Sequence, residues 1–144
     1  MAAIPNLIAA RGYATYCQVN AAIAAQLVLE AEGRVVMATS SGFLTHDEQP
    51  AVVARNLDLV RRTGTAVVVL PADDDGDSAQ FIARRQAQRY GQESYEHWLA
   101  VTTKRLPINR ALADVVVIAR GSPEEVAALT FARLGAAGVL ERRY

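Results

Sequence analysis

The side chains with most to offer chemically in this sequence are arginines. Arg84, Arg85 and Arg89 stand close together, Lys104, Arg105 and Arg110 gather around Pro107, and Arg120 follows an apolar run. A guanidinium presents a rigid fork of donors that matches carboxylate and phosphate, so this grouping points to a small anionic ligand. A solvated charged face has the same composition. Thr39, Ser40, Ser41 and Gly42 form the second candidate, offering hydroxyls and accessible backbone directly after the apolar run Val35, Val36 and Met37. In open α/β sheets ligands bind just beyond the carboxyl ends of such strands.

Other polar groups fit chemistry less well. The acidic stretch from Asp73 to Asp77 fails the calcium-loop pattern, because Ser78 and Arg84 occupy the positions that need glycine and glutamate. It reads as a solvated turn and helix cap. His46, His97 and Cys17 have no companions at metal-ligand spacing, so no metal is expected, and Cys17 reads as a small packed hydrophobe. The chain holds no Gly-x-Ser-x-Gly elbow, no Gly-x-Gly-x-x-Gly turn and no Gly-x-x-x-x-Gly-Lys-Ser/Thr loop.

The elements that must position these residues follow from periodicity. A short helix from Pro5 to Ala10, stopped by Gly12, precedes a long one from about Ala14 to Glu32, with Val19, Ile23, Leu27 and Leu29 as its packing residues. The spacing predicts strands at 34–39, 65–70 and 115–118. Thr45 and Glu48 have the form of a capping box for a helix running to Thr63, and Asp77 with Gln80 caps another that reaches Arg89. A weaker helical pattern spans Gly91 to Lys104, is interrupted at Pro107 where a hinge or flap is expected, and resumes from Asn109 to Asp114. Ser122, Pro123 and Glu125 combine N-cap, N1 proline and N3 glutamate, opening a last helix whose inner face holds Val126, Ala127, Thr130, Phe131 and Leu134. Strands separated by helices argue for an α/β fold: a small open parallel sheet of about three strands with helices on both faces.

Composition sets the outer bounds. Length predicts one domain, 1–144, able to bury roughly two thirds of its unfolded surface. Hydrophobic residues make up 51% and charged residues 21%, with 15 basic against 15 acidic side chains, so no electrostatic footprint for nucleic acid exists. No apolar run approaches the roughly twenty residues that span a bilayer, no secretory pattern opens the chain, and a lone cysteine suits a reducing compartment. The expectation is a cytoplasmic protein without nucleic-acid or membrane partners.

In segment order the chain resembles shikimate kinase, one of the P-loop phosphotransferases, over nearly its whole length but only beyond that family's first two strands. Residues 8–13 look like the family's short helix and Gly turn, and Arg34 to Phe43 resembles its strand running into a triple-glycine loop, which implies substrate contacts at Ser40, Ser41 and Gly42. Lys104 to Asn109 resembles Arg-x-Pro-Leu-Tyr, whose arginine grips the substrate carboxylate, and so implies that role for Arg105. Ala119 to Val126 looks like the loop flanking adenine, implying nucleotide contacts at Arg120 and Pro123, with Arg85 opposite. A lid-like segment of about 84–104 would include Arg89, although the lid's own signature is missing.

The departures concentrate on catalysis. The phosphate-binding loop, its lysine, its magnesium-ligating hydroxyl and the assisting aspartate are absent, and Tyr16 to Asn20 replaces Phe-Arg-x-x-Glu. Phosphoryl transfer rests on such positioning and charge stabilisation. The resemblance therefore implies a truncated P-loop-kinase-like three-layer fold, retained as a non-catalytic module for a small carboxylate, phosphate or nucleotide. The alternatives are an active kinase using ATP and magnesium, completed by a separate P-loop segment, and a structural protein associating through sheet edges. Without the P-loop strand two edges are exposed, so a homo-oligomer or a strand-supplying partner is expected.

Overall fold

A β-branched apolar run becomes a strand only where another run can satisfy its backbone, and two such runs do so here. The computed structural model describes residues 4–46, 48–90 and 93–140. Val67–Leu70 (β1) pairs in parallel with Val115–Ile118 (β2), Val67 opposite Val115 and Leu70 opposite Ile118. Around this two-stranded sheet the described residues form helices α1 (Ile4–Arg11), α2 (Tyr13–Glu30), α3 (Pro50–Thr63), α4 (Asp75–Tyr90), α5 (Tyr95–Leu112) and α6 (Pro123–Ala136). The chain divides into two compact units, Met1–Gly64 and Thr65–Tyr144, where the sequence reading takes 1–144 as one domain. No helix among the described residues is long and apolar enough to cross a membrane.

In the second unit the sheet carries the core. Val68, Leu70, Val116 and Ile118 pack on Ala79 and Ile82 of α4 and on Leu99 and Leu106 of α5. On the other face Val115 and Val117 are buried and β2 contacts α6, whereas Val67 and Val69 of β1 stay 37% and 48% exposed. Ala79 and Ala83 lie fully buried along α4, and their small size lets α4 approach its neighbours closely. Ser78, also fully buried, donates to the Ala72 carbonyl at 2.9 Å and accepts from the Ala72 N–H at 3.2 Å, which secures the turn after β1. At α6 the capping box forms as its sequence predicts, Ser122 accepting from the Glu125 N–H and Glu125 from the Ser122 N–H. The expected inner face is only half-buried there: Val126, Thr130 and Leu134 are partly covered, and Phe131 is 65% exposed.

The first unit is built on small residues. α2 buries Cys17, Ala21 and Ala24, with Cys17 and Ala21 packed on Val52 of α3 and Tyr13 and Tyr16 alongside. Val19, Ile23, Leu27 and Leu29, expected as the packing residues, are instead exposed, Leu29 by 81%. Close approach of α3 selects the alanine face, which leaves the bulkier residues outside.

Three boundaries also differ from the sequence reading. Residues 34–39 form no strand: 34–40 run without helix, turn or bend, and Val36 is fully exposed. Among the described residues the sheet therefore has two strands where three are expected, because an apolar run without a ladder partner has nothing to hold its backbone. Thr45 does not cap a helix. Its hydroxyl donates to the Ser41 carbonyl, and α3 begins at Pro50, whose fixed φ suits a first helical position. Pro107 does not break its helix either, since α5 runs through it, with Pro107 on the exposed side. The expected hinge is thus continuous helix, and the 84–104 segment spans the end of α4 and the start of α5, with 91–92 outside the described residues.

Candidate functional site

The carboxyl ends of β1 and β2 deliver the second unit's charged cluster. β1 leads into 71–74, so Asp73 sits just past Leu70 and Asp75 opens α4, while β2 leads into Arg120. The last turn of α5 supplies Arg110. Its Nε donates to Asp75 Oδ1 at 2.8 Å and its Nη2 to the Asp73 carbonyl at 2.8 Å. Arg120 Nη2 donates to Asp73 Oδ2. Two guanidinium groups, brought from different elements, thereby converge on one residue of the loop.

The two pairings differ in how tightly they are kept. Arg110 and Asp75 have about a third of their side-chain surface exposed, 31% and 33%, and form a partly sheltered ion pair. Arg120 and Asp73 are open, at 72% and 70%, where an ion pair contributes little and exchanges readily with solutes. Asp74 is otherwise occupied, accepting from the Asp77 N–H at 2.9 Å as an N-terminal cap for α4. That cap accounts for α4 starting at Asp75 rather than Asp77.

The remaining candidates of this unit lie on its helices. Arg85 and Arg89 are exposed along α4, Arg105 is half-buried on α5, and Pro123 is exposed at the first position of α6. Arg84 Nη2 reaches Gln80 Oε1 at 3.4 Å, beside a groove of about 360 Å³ lined by Arg84, Ala87, Gln88 and Tyr95. The convergence of Arg110 and Arg120 is the part of the predicted constellation that shared contacts establish.

In the first unit Ser40, Ser41 and Gly42 form a turn. The Ser40 carbonyl accepts from the Phe43 N–H and the Gly42 carbonyl from the Thr45 N–H, both at 3.0 Å. The serines are exposed, whereas Gly42, Phe43, Thr45 and His46 are buried. A Cβ at 42 would collide with the His46 ring, so any larger residue there requires that ring to move. The His46 ring meets Tyr13 edge-on at 5.0 Å, with the Tyr13 hydroxyl 3.1 Å from Nε2 and 3.2 Å from Nδ1. Asn56, also buried, donates to the Phe43 carbonyl at 2.8 Å and fastens the turn to α3. Sequence reasoning missed the Tyr13–His46 pair and Asn56, for contacts 33 and 13 residues apart leave no periodic trace. A cleft of about 290 Å³ runs between α2 and α3, bordered by Ala21, Ala22 and Ala25 on one side and by Arg55, Asn56 and Arg62 on the other.

ATP with magnesium, the cofactors a kinase relationship implies, does not fit the groups present. The sequence holds no Gly-x-x-x-x-Gly-Lys-Ser/Thr loop to cradle phosphates, and no three metal-ligating side chains gather among the described residues. A scan of protein-family models finds none that matches the chain, and searches of the curated proteins and of the solved structures find no match either.

Proposed function

We propose that this chain is a non-catalytic, shikimate-kinase-like module that binds a small carboxylate- or phosphate-bearing ligand at the carboxyl ends of β1 and β2. The observation that carries the reading is the convergence of Arg110 and Arg120 on Asp73, beyond the ends of two parallel strands. That is where ligands of open α/β sheets bind. Arg110, anchored by Asp75, acts as a fixed positive wall, and Arg120 is the exchangeable donor that leaves Asp73 for the incoming anion. Following the resemblance, Arg105 grips a ligand carboxylate, Arg85, Arg120 and Pro123 flank a nucleotide base, and Arg89 belongs to a lid. Within the first unit the turn Ser40–Gly42 is a separate candidate for polar contacts.

Calorimetric and thermal-shift titration with ADP, ATP–magnesium, shikimate and inorganic phosphate tests this, because only a ligand that binds the native state raises its melting temperature. Saturable binding of at least one is expected. Removing Arg120 or Arg105 by alanine should then cost on the order of 1–3 kcal/mol of affinity. Silence toward all four ligands would overturn the proposal, and binding unaffected by both substitutions would remove the assignment.

A further inference from the structure

The ion pair between Arg120 and Asp73 limits what can take its place. Among the described residues Arg120 is the only side-chain partner of the Asp73 carboxylate, and Asp73 the only one of the Arg120 guanidinium. Both are largely open to solvent, so the pair opens at little cost. Arg110 reaches Asp73 through the backbone carbonyl alone, and its Nε is committed to Asp75. An anion that draws Arg120 away therefore leaves the Asp73 carboxylate without its counter-charge.

The neighbouring charges raise that cost. Segments 71–77 and 119–125, which leave the two strands, carry Asp73, Asp74, Asp75, Asp77, Glu124 and Glu125 against Arg120 alone. With Arg110 and Arg105 of α5 added, carboxylates still outnumber guanidinium groups by two to one. Helix starts ordinarily attract anions, but here the chain's own acids meet them. Asp74 accepts from the Asp77 N–H at the start of α4, and Glu125 from the Ser122 N–H at the start of α6. A ligand bearing only negative charge thus gains Arg120 and is repelled by the surrounding carboxylates. One that carries an ammonium beside its anion replaces both halves of the opened pair, so that one ion pair becomes two. All of these groups belong to the second unit.

We propose that the ligand of this site is a small zwitterion, a carboxylate or phosphate ester with an ammonium group a few bonds away. Its anion takes Arg120 and its ammonium takes Asp73. The inference rests on the anion-binding reading and narrows it: anions that lack the ammonium, inorganic phosphate among them, bind less tightly.

Calorimetric titration of the full chain at constant ionic strength tests this with two matched pairs, propanoate against β-alanine and ethyl phosphate against phosphoethanolamine. The members of each pair differ only in the ammonium. At least one zwitterion should bind ~10-fold or more tightly than its plain anion, and the pair that responds separates a carboxylate ligand from a phosphate one. Asp73→Asn should erase that preference while the plain anion still binds, which also shows that the variant folds. Asp77→Asn removes the same charge without the ammonium contact and should keep the preference. Plain anions that bind as tightly as their zwitterions would overturn the inference and leave the anion-binding reading standing. A preference that survives Asp73→Asn, or that is lost equally with Asp77→Asn, would do the same. Silence toward all four compounds would overturn both.

Discussion

Val35–Val36 and Val67–Val68 are nearly the same words placed in opposite circumstances. The second pair lies in a strand whose Leu70 is 1% exposed and whose ladder partner, 48 residues onward, is fixed by α4 and α5. The first lies in an unpaired run with Val36 wholly in solvent. Residue type confers the capacity for a strand, and a partner in register makes it one. The two units also differ: the second packs Leu70 and Leu106 around its sheet, while in the first α2 turns Cys17 and Ala21 toward Val52 and leaves Val19, Ile23 and Leu27 outside.

The largest contrast should appear in the core beneath the sheet. Leu70→Ala is expected to cost about 2–5 kcal/mol of unfolding free energy, and Val36→Ala less than about 0.5 kcal/mol. Comparable losses at the two positions would erase the distinction. Ser78→Ala comes next, at about 1–3 kcal/mol by denaturant titration, because it leaves the Ala72 N–H and carbonyl without their partner in a partly buried turn.

Glycines sharpen the comparison inside the first unit. Gly42→Ala forces the His46 ring away from Tyr13 and should cost about 1–3 kcal/mol. Gly64→Ala, whose new Cβ would meet only the Val60 carbonyl at 3.7 Å, should be tolerated. The smallest effect is one of pH. Glu124 is held below the ordinary carboxyl value of 4.5 by a backbone N–H and then by the Ser122 hydroxyl. A lowered folded pKa adds stability that is complete above the ordinary value and is lost as pH falls through the lowered one. Amide exchange at the start of α6 should therefore quicken in that acid window, and Glu124→Gln should remove the dependence.

Much of the scaffold was legible because its causes are local. Ser122, Pro123 and Glu125 announce α6 by themselves, and the runs at 67–70 and 115–118 are short, β-branched and bounded by turn residues. What escaped depends on distant partners. Nothing near Val35 reveals that its partner is missing, and nothing around Pro107 shows that α5 places it toward solvent. The arginines were visible as a class, but their assignment to Asp73 and Asp75 spans 35 to 47 residues and required the fold. Tyr13 and His46 were unreadable as a pair for the same reason.

The most direct test of the proposed anion site observes its donors. In a chain with ¹⁵N-labelled arginine, the side-chain Nε–H resonances are followed by NMR during titration with whichever of ADP, shikimate or phosphate gives the strongest calorimetric response. A saturable shift is expected at Arg120, with a smaller one at Arg110, while the exposed Arg61 and Arg62 of α3 stay fixed. Parallel drift of all the arginines, or no movement at Arg120 at saturation, would contradict the account.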